Sequence, residues 1–184
     1  MQEINRIYVT GGSGVGKTTL TKRLAEATGY PIFELDWVLW SRNDDGSRGL
    51  ATDHVEKIGE IAAQPVWIAD GSFVGFAQEI WRTADLIIFL DVSLRVMLWR
   101  VFWRHVKAEI RRNNRHPGWL NLFKFMKVVA RSYRSPEIGD IDSYDESILT
   151  QAKIEAKVRQ QAHKTLVFNG SPDIDEILRR INPK

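Results

Sequence analysis

Eight residues, Gly11-Gly-Ser-Gly-Val-Gly-Lys-Thr18, constrain this chain more than any other stretch. They stand directly after a short apolar run, Arg6-Ile-Tyr-Val-Thr10, and directly before Lys17–Thr28, where Leu20, Leu24 and Ala27 repeat at helical spacing. The pattern Gly-x-x-x-x-Gly-Lys-Thr is specific only in that strand-to-helix setting. Its glycines let successive N–H groups converge on one point, to which the start of the helix adds positive charge. The ligand implied is a polyphosphate, held by Gly11, Gly12, Ser13, Gly14, Val15, Gly16, Lys17, Thr18 and Thr19. Lys17 is placed to reach the β and γ phosphates, and the Thr18 hydroxyl to ligate Mg²⁺.

The same alternation continues. Ile32–Leu35, Val66–Ala69, Leu86–Leu90 and Thr165–Phe168 read as strands; Asp53–Ala63 reads as a helix with Val55, Ile58 and Ala62 inward. Gly29 is the expected stop of the first helix. Strands apolar on both faces and separated by helices predict an α/β, three-layer fold with a parallel sheet covered on two sides. A length of 184 residues suits one domain, 1–184. The chain has no cysteine, which excludes thiol catalysis and thiolate metal sites.

Ligands of such sheets bind beyond the carboxyl ends of the strands, where Asp36, Asp70 and Asp91 are expected to gather. Asp70 is the favoured carboxylate on the metal side, because Gly71 lets the backbone turn away. Asp91 stands just before Ser93, a candidate helix cap, and reads as structural. Glu34 and Asp36 are two apart and share a face if the strand stays regular. Asp36 is the candidate base that would accept an acceptor hydroxyl's proton.

Charge is distributed very unevenly. Between Arg95 and Arg134 lie eleven basic residues against one acid, Glu109, a local excess of +10 in a chain whose total is +3. That segment implies a polyanionic partner. The helix after Ser93 carries an apolar stripe (Trp99, Trp103, Val106, Ile110), expected to pack, beside a basic stripe (Arg100, Arg104, Lys107, Arg111) facing an anion. A second amphipathic segment sets Trp119, Leu122, Phe123, Met126 and Ala130 against Lys124, Lys127, Arg131 and Arg134. Arg100 and Arg104 are the leading candidates to neutralise charge on a transferring phosphoryl group.

Taken in order, Gly11–Thr18, Glu34-Leu-Asp36 with Trp40, Trp67-Ile-Ala-Asp-Gly71, Ala84-Asp-Leu-Ile-Ile-Phe-Leu-Asp91 and the arginine-spaced helix resemble the adenylate-kinase-like P-loop proteins. The resemblance is greatest to the group called DNA topology modulation proteins. It implies a P-loop NTPase fold with a five-stranded parallel sheet, a kinase-like domain and an ATP donor. It also implies an arginine-bearing helical lid or insertion at about residues 95–135, Asp70 beside the nucleotide, and an adenine pocket near Asn169-Gly-Ser-Pro172. No arginine follows Asp70-Gly71 within Ser72–Gly75, where nucleoside monophosphate kinases usually carry a Phe-Pro-Arg-like run.

The expected activity is therefore phosphoryl transfer from Mg-ATP to a small-molecule or nucleotide acceptor. The alternative is an ATP-binding protein that grips nucleic acid with the basic segment, stacking Trp99, Trp103 and Trp119 on bases. A third class is an amphipathic membrane-surface binder. A GTPase is disfavoured by the lack of an Asn-Lys-x-Asp signature. The apolar stretch Leu86–Trp103 is broken by Asp91, Arg95 and Arg100, so no stable membrane insertion is expected. Together with an N-terminus that lacks a signal-peptide core, this predicts a cytoplasmic protein.

Overall fold

A computed structural model describes residues 3–42, 48–51, 53–111, 118–141, 143 and 149–181. Five strands form one sheet: β1 (Arg6–Gly11), β2 (Ile32–Glu34), β5 (Trp67–Gly71), β6 (Leu86–Leu90) and β7 (Thr165–Phe168). Their order across the sheet is β2-β5-β1-β6-β7, and every neighbouring pair is parallel. β3 (Trp40–Arg42) and β4 (Arg48–Leu50) form a separate antiparallel pair, which the sequence reading did not anticipate.

The three middle strands are apolar on both faces because both faces are covered. Tyr8, Trp67, Ala69, Ile87 and Phe89 pack against α3 (His54–Ala63), α4 (Gln78–Thr83) and α7 (Gln151–Gln160), through residues such as Ile58, Trp81 and Ile154. Ile7, Val9, Ile68 and Ile88 pack on the other side, against Leu20 and Leu24 of α1 (Lys17–Thr28) and Ile177 of α8 (Ile174–Ile181). The core on that second side also takes Met97 from α5 (Leu94–Ile110) and Val129 from α6 (Trp119–Arg134), so the basic segment is anchored to the domain.

Helix boundaries follow local chemistry. Gly29 ends α1 at φ 77°, and its N–H donates to the Ala25 carbonyl at 2.8 Å. The Lys164 Nζ donates to the carbonyls of Trp81, Arg82 and Ala84 at 2.8–3.0 Å, satisfying the end of α4. Two residues lie outside the faces that their spacing suggests. Ala27 is exposed and Thr21 takes its place in the buried face of α1; Val55 is exposed in the first turn of α3, whose buried residues are Ile58, Ile61 and Ala62. Ala27 and Val55 each lie at the margin of an apolar arc, where periodicity alone does not say which side tertiary packing will cover.

Candidate active site

All five sheet strands are parallel, so their carboxyl ends form one edge, and the site is built there. β1 runs into the loop Gly12–Gly16, and α1 begins at Lys17. Gly11 lies at φ 141° and approaches β6 closely: a Cβ there would sit 2.6 Å from the Leu90 carbonyl oxygen. Gly14 lies at φ 82°, and its Cβ would meet Val101 Cγ2 at 2.9 Å and the Met97 carbonyl oxygen at 3.0 Å. Side chains are therefore excluded where the loop passes β6 and α5, for conformational and steric reasons together.

Lys17 curls back over this loop. Its Nζ donates to the Gly11 and Gly12 carbonyls at 3.0 and 2.9 Å and to the Ser72 hydroxyl at 3.0 Å. The Ser72 hydroxyl in turn donates to the Gly11 carbonyl at 2.7 Å. Burial pushes the Lys17 ammonium below the ordinary lysine range; Asp36 and Asp70 oppose that, and Arg104 adds to it. An ammonium under this desolvation cost gains from an arriving polyphosphate.

Asp70 is the penultimate residue of β5, beside the loop and only 4% exposed. The Thr18 hydroxyl donates to its Oδ2 at 2.9 Å. Burial raises the Asp70 carboxyl above its ordinary value; the Thr18 bond and Lys17 pull it down, while Glu34 and Asp36 push it up. A hydroxyl and a carboxylate joined in this way are hard oxygen donors suited to Mg²⁺. Thr18 and Asp70 would hold the cation, which fits the donor set present. Among the described residues no group of three or more His, Cys, Asp or Glu converges as a protein-only metal site.

Asp91 follows β6 and donates its N–H to the Phe168 carbonyl at 3.0 Å. Ser93 occupies the N-cap position of α5, although its side chain makes no capping hydrogen bond. The expected strand alternation of Glu34 and Asp36 is corrected by the structure. β2 stops at Glu34, and α2 (Leu35–Leu39) begins with the next residue, so Asp36 stands exposed in the first turn of a helix. Asp36 still lies near enough to Lys17 and Asp70 to act on the charge of both. Glu34 pairs with Asp70 in the sheet register, and its Oε2 accepts a hydrogen bond from Trp37 Nε1 at 3.0 Å.

Arg100 of α5 reaches the loop, where its NH1 donates to the Val15 carbonyl. Arg104, one turn further along α5, enters the site through its effect on Lys17. The faces of α5 differ from the reading of its sequence. Met97 and Val101 are its buried residues, while Trp99, Trp103 and Ile110 stand exposed. In α6 the buried residues are Leu122 and Val129, and Trp119 and Phe123 are exposed. Of the basic cluster, Arg112 and Arg115 lie outside the described residues.

The sequence reading missed Ser72, which bridges Lys17 to the loop. Its signal was slight: a hydroxyl two positions beyond the strand-end acid, in the stretch singled out only for lacking arginine. Asn169 is exposed just past β7, at the same sheet edge, where the adenine pocket was expected.

No family model matches the chain. A shikimate kinase of Bacteroides fragilis is 30% identical over 109 residues, covering 52% of this chain and 61% of that protein. A shikimate kinase of Geobacter sulfurreducens is 26% identical over 121 residues, covering 59% and 67%. The chain thus aligns with roughly three fifths to two thirds of the length of these relatives. Among solved structures, the shikimate kinase from Acinetobacter baumannii in complex with shikimate superposes with a TM-score of 0.54 at 17% identity, over 97% of this chain and 93% of that one. A gluconokinase from Sinorhizobium meliloti gives 0.51 at 18% identity, over 98% and 91%. The fold is that of the small P-loop kinases. A deoxyadenosine kinase from M. mycoides with bound dATP shares it, with a TM-score of 0.50 at 13% identity over 96% and 99%.

Proposed function

We propose that the chain is a small P-loop kinase, transferring the γ-phosphoryl group of Mg-ATP to a hydroxyl of a small-molecule or nucleotide acceptor. The observation that carries the reading is one convergence at the sheet edge: Lys17 on the loop carbonyls, Thr18 on Asp70, Ser72 on Lys17 and Arg100 on Val15. The similarity to shikimate kinases, and a fold shared with a gluconokinase and a deoxyadenosine kinase, supports it.

Each residue then has a role. The loop N–H groups from Gly12 to Thr19 and the start of α1 bind the phosphates. Lys17 exchanges its bonds to carbonyls for bonds to β and γ phosphate oxygens, and Ser72 keeps its approach fixed. Bound Mg²⁺ supplies further neutralisation of those oxygens. Asp36 accepts the acceptor's proton as the hydroxyl oxygen bonds to phosphorus and the bridging oxygen leaves on ADP. Arg100 and Arg104 stabilise negative charge on the transferring group.

Nucleic-acid binding by the basic segment is the less favoured use, because Arg100 turns toward the phosphate loop. The closer likeness to DNA topology modulation proteins rests on sequence motifs alone. A cytoplasmic site of action is part of the proposal. Among the described residues no helix is long and apolar enough to cross a membrane.

A screen of ADP release with nucleosides, nucleotides, sugars and small hydroxy acids, with DNA as a parallel addition, tests the reading. The expected result is ADP release that depends on one acceptor class and is lost in Lys17→Ala. Release stimulated by DNA alone, with no small acceptor active, would overturn it.

A further inference from the structure

Helices α5 and α6 leave a bulky apolar face in solvent. On α5, Val96, Trp99, Trp103 and Ile110 lie along one side at spacings of three, four and seven residues, away from buried Met97 and Val101. Trp99 is 62% and Ile110 76% exposed. Ring contacts carry the face onto α6: Trp99 to Trp103 at 5.4 Å, Trp103 to Phe102 at 5.9 Å, and Phe102 to Trp119 at 6.3 Å. There it continues into Leu120, 78% exposed, and Phe123, 55% exposed. Contiguous exposure of this kind marks an interaction surface, because each apolar side chain covered gains free energy by leaving water.

Charge selects what covers it. Between Arg95 and Arg134 the described residues include nine bases and one acid, and that acid, Glu109, already accepts the Gly118 N–H at 3.0 Å. A second copy of the chain would set two such cationic faces against each other. Nucleic acid suits the charge, yet Ile110, Leu120 and Val128 offer bases no flat surface for stacking. An anionic phospholipid surface suits both components. Tryptophan and phenylalanine settle at the boundary between headgroups and acyl chains, aliphatic side chains enter below it, and basic side chains extend to the headgroups. The spacing fits: Arg95 and Trp99, Trp103 and Lys107, Leu120 and Lys124, Phe123 and Lys127 are each four apart, one helical turn.

We propose that the exposed α5–α6 face binds peripherally to anionic phospholipid membranes. Trp99, Ile110, Leu120 and Phe123 supply the apolar contact, and Lys107, Lys124 and Lys127 supply the charge. Arg100, which meets the Val15 carbonyl, points from a different side of α5, so docking leaves the phosphate loop free.

The test is co-sedimentation of the full chain with vesicles of phosphatidylcholine plus phosphatidylglycerol, compared with phosphatidylcholine alone, read also by tryptophan emission. Binding and a blue shift are expected on the anionic vesicles. The triple variant Trp99→Ser/Leu120→Ser/Phe123→Ser should lower partitioning by about tenfold or more. The pair Lys124→Gln/Lys127→Gln should lower it by about tenfold on anionic vesicles and reduce its dependence on salt. Neither variant should alter thermal stability markedly or ATP turnover without vesicles. Absence of binding to the anionic vesicles, or binding that survives both variants, overturns the proposal. So does loss, in the triple variant, of self-association or of single-stranded oligonucleotide binding in a protein that ignores vesicles.

Discussion

Replacing Asp70 by Asn should move stability and activity in opposite directions. Asp70 is almost fully buried at the end of β5, and burial raises its carboxyl above the ordinary value. The unfolded chain therefore loses this proton at lower pH than the folded one. Stability falls as pH rises from about 4, the ordinary carboxylate value, through the raised folded value, and stays lower at neutral pH. Asn keeps the shape and an oxygen that can accept the Thr18 hydrogen bond, and it removes the buried charge. The ligand-free variant should gain about 0.5–2 kcal/mol, the usual return when a functional compromise is relieved. In a chain of this length each kcal/mol corresponds to about 2–4 °C in Tm. Turnover should fall by about a hundredfold, or about 2.7 kcal/mol of barrier, if the carboxylate is needed to hold the cation. Thermal melts with and without Mg-ATP, from pH 4 to 8, read both effects, since a ligand that binds only the folded state raises Tm. The rise in Tm with Mg-ATP should shrink in the variant, and the stability lost by the parent between low and neutral pH should be reduced. A variant that melts earlier than the parent while keeping its full Mg-ATP shift would refute both halves of the reasoning.

Lys17→Ala should abolish the Tm rise with Mg-ATP and reduce ADP release to background, checked by titrating ATP against both proteins. Asp91→Asn should change stability by no more than about 0.5 kcal/mol and leave turnover near that of the parent; a loss comparable to Asp70→Asn would move the metal carboxylate to β6. Asp36→Asn should lower kcat by about a hundredfold with an alcohol acceptor while KM for ATP changes little. Arg100→Ala/Arg104→Ala should depress turnover by about a hundredfold or more and shift ATP affinity far less. Unchanged turnover with salt-sensitive loss of DNA binding would assign those arginines to a nucleic-acid backbone instead.

The elements legible in the sequence were those fixed by local chemistry. Arg6–Thr10, the glycine loop and Lys17–Thr28 were recovered within a residue, because the motif specifies a strand, a turn and a helix start together. Leu86–Leu90 and Thr165–Phe168 were recovered at their full lengths by the apolar pattern. The β3–β4 pair was not, since three-residue strands carry too little periodicity to be seen. At the site, Thr18 and Asp70 were each singled out from the sequence and meet in a hydrogen bond, whereas Ser72 carried no pattern of its own.

The misreading of α5 has a physical reason with a consequence for the whole segment. Helical periodicity identifies a stripe that is apolar, and packing against the sheet decides whether that stripe is the buried one. α5 presents three sides: Met97 and Val101 toward the core and loop, Arg100 toward the Val15 carbonyl, and Trp99, Trp103 and Ile110 toward solvent. A sequence with two apolar stripes flanking a basic one offers two ways to dock, and the tightness of the loop selects between them. Gly14 leaves room for Val101 and the Met97 backbone to approach, which a tryptophan at the same contact would not fit. The bulkier stripe is thereby turned outward, which places the largest apolar side chains of α5 on the surface rather than in the core. Helix α5 thus serves the phosphate loop with its slim side and leaves its bulky side free for a partner.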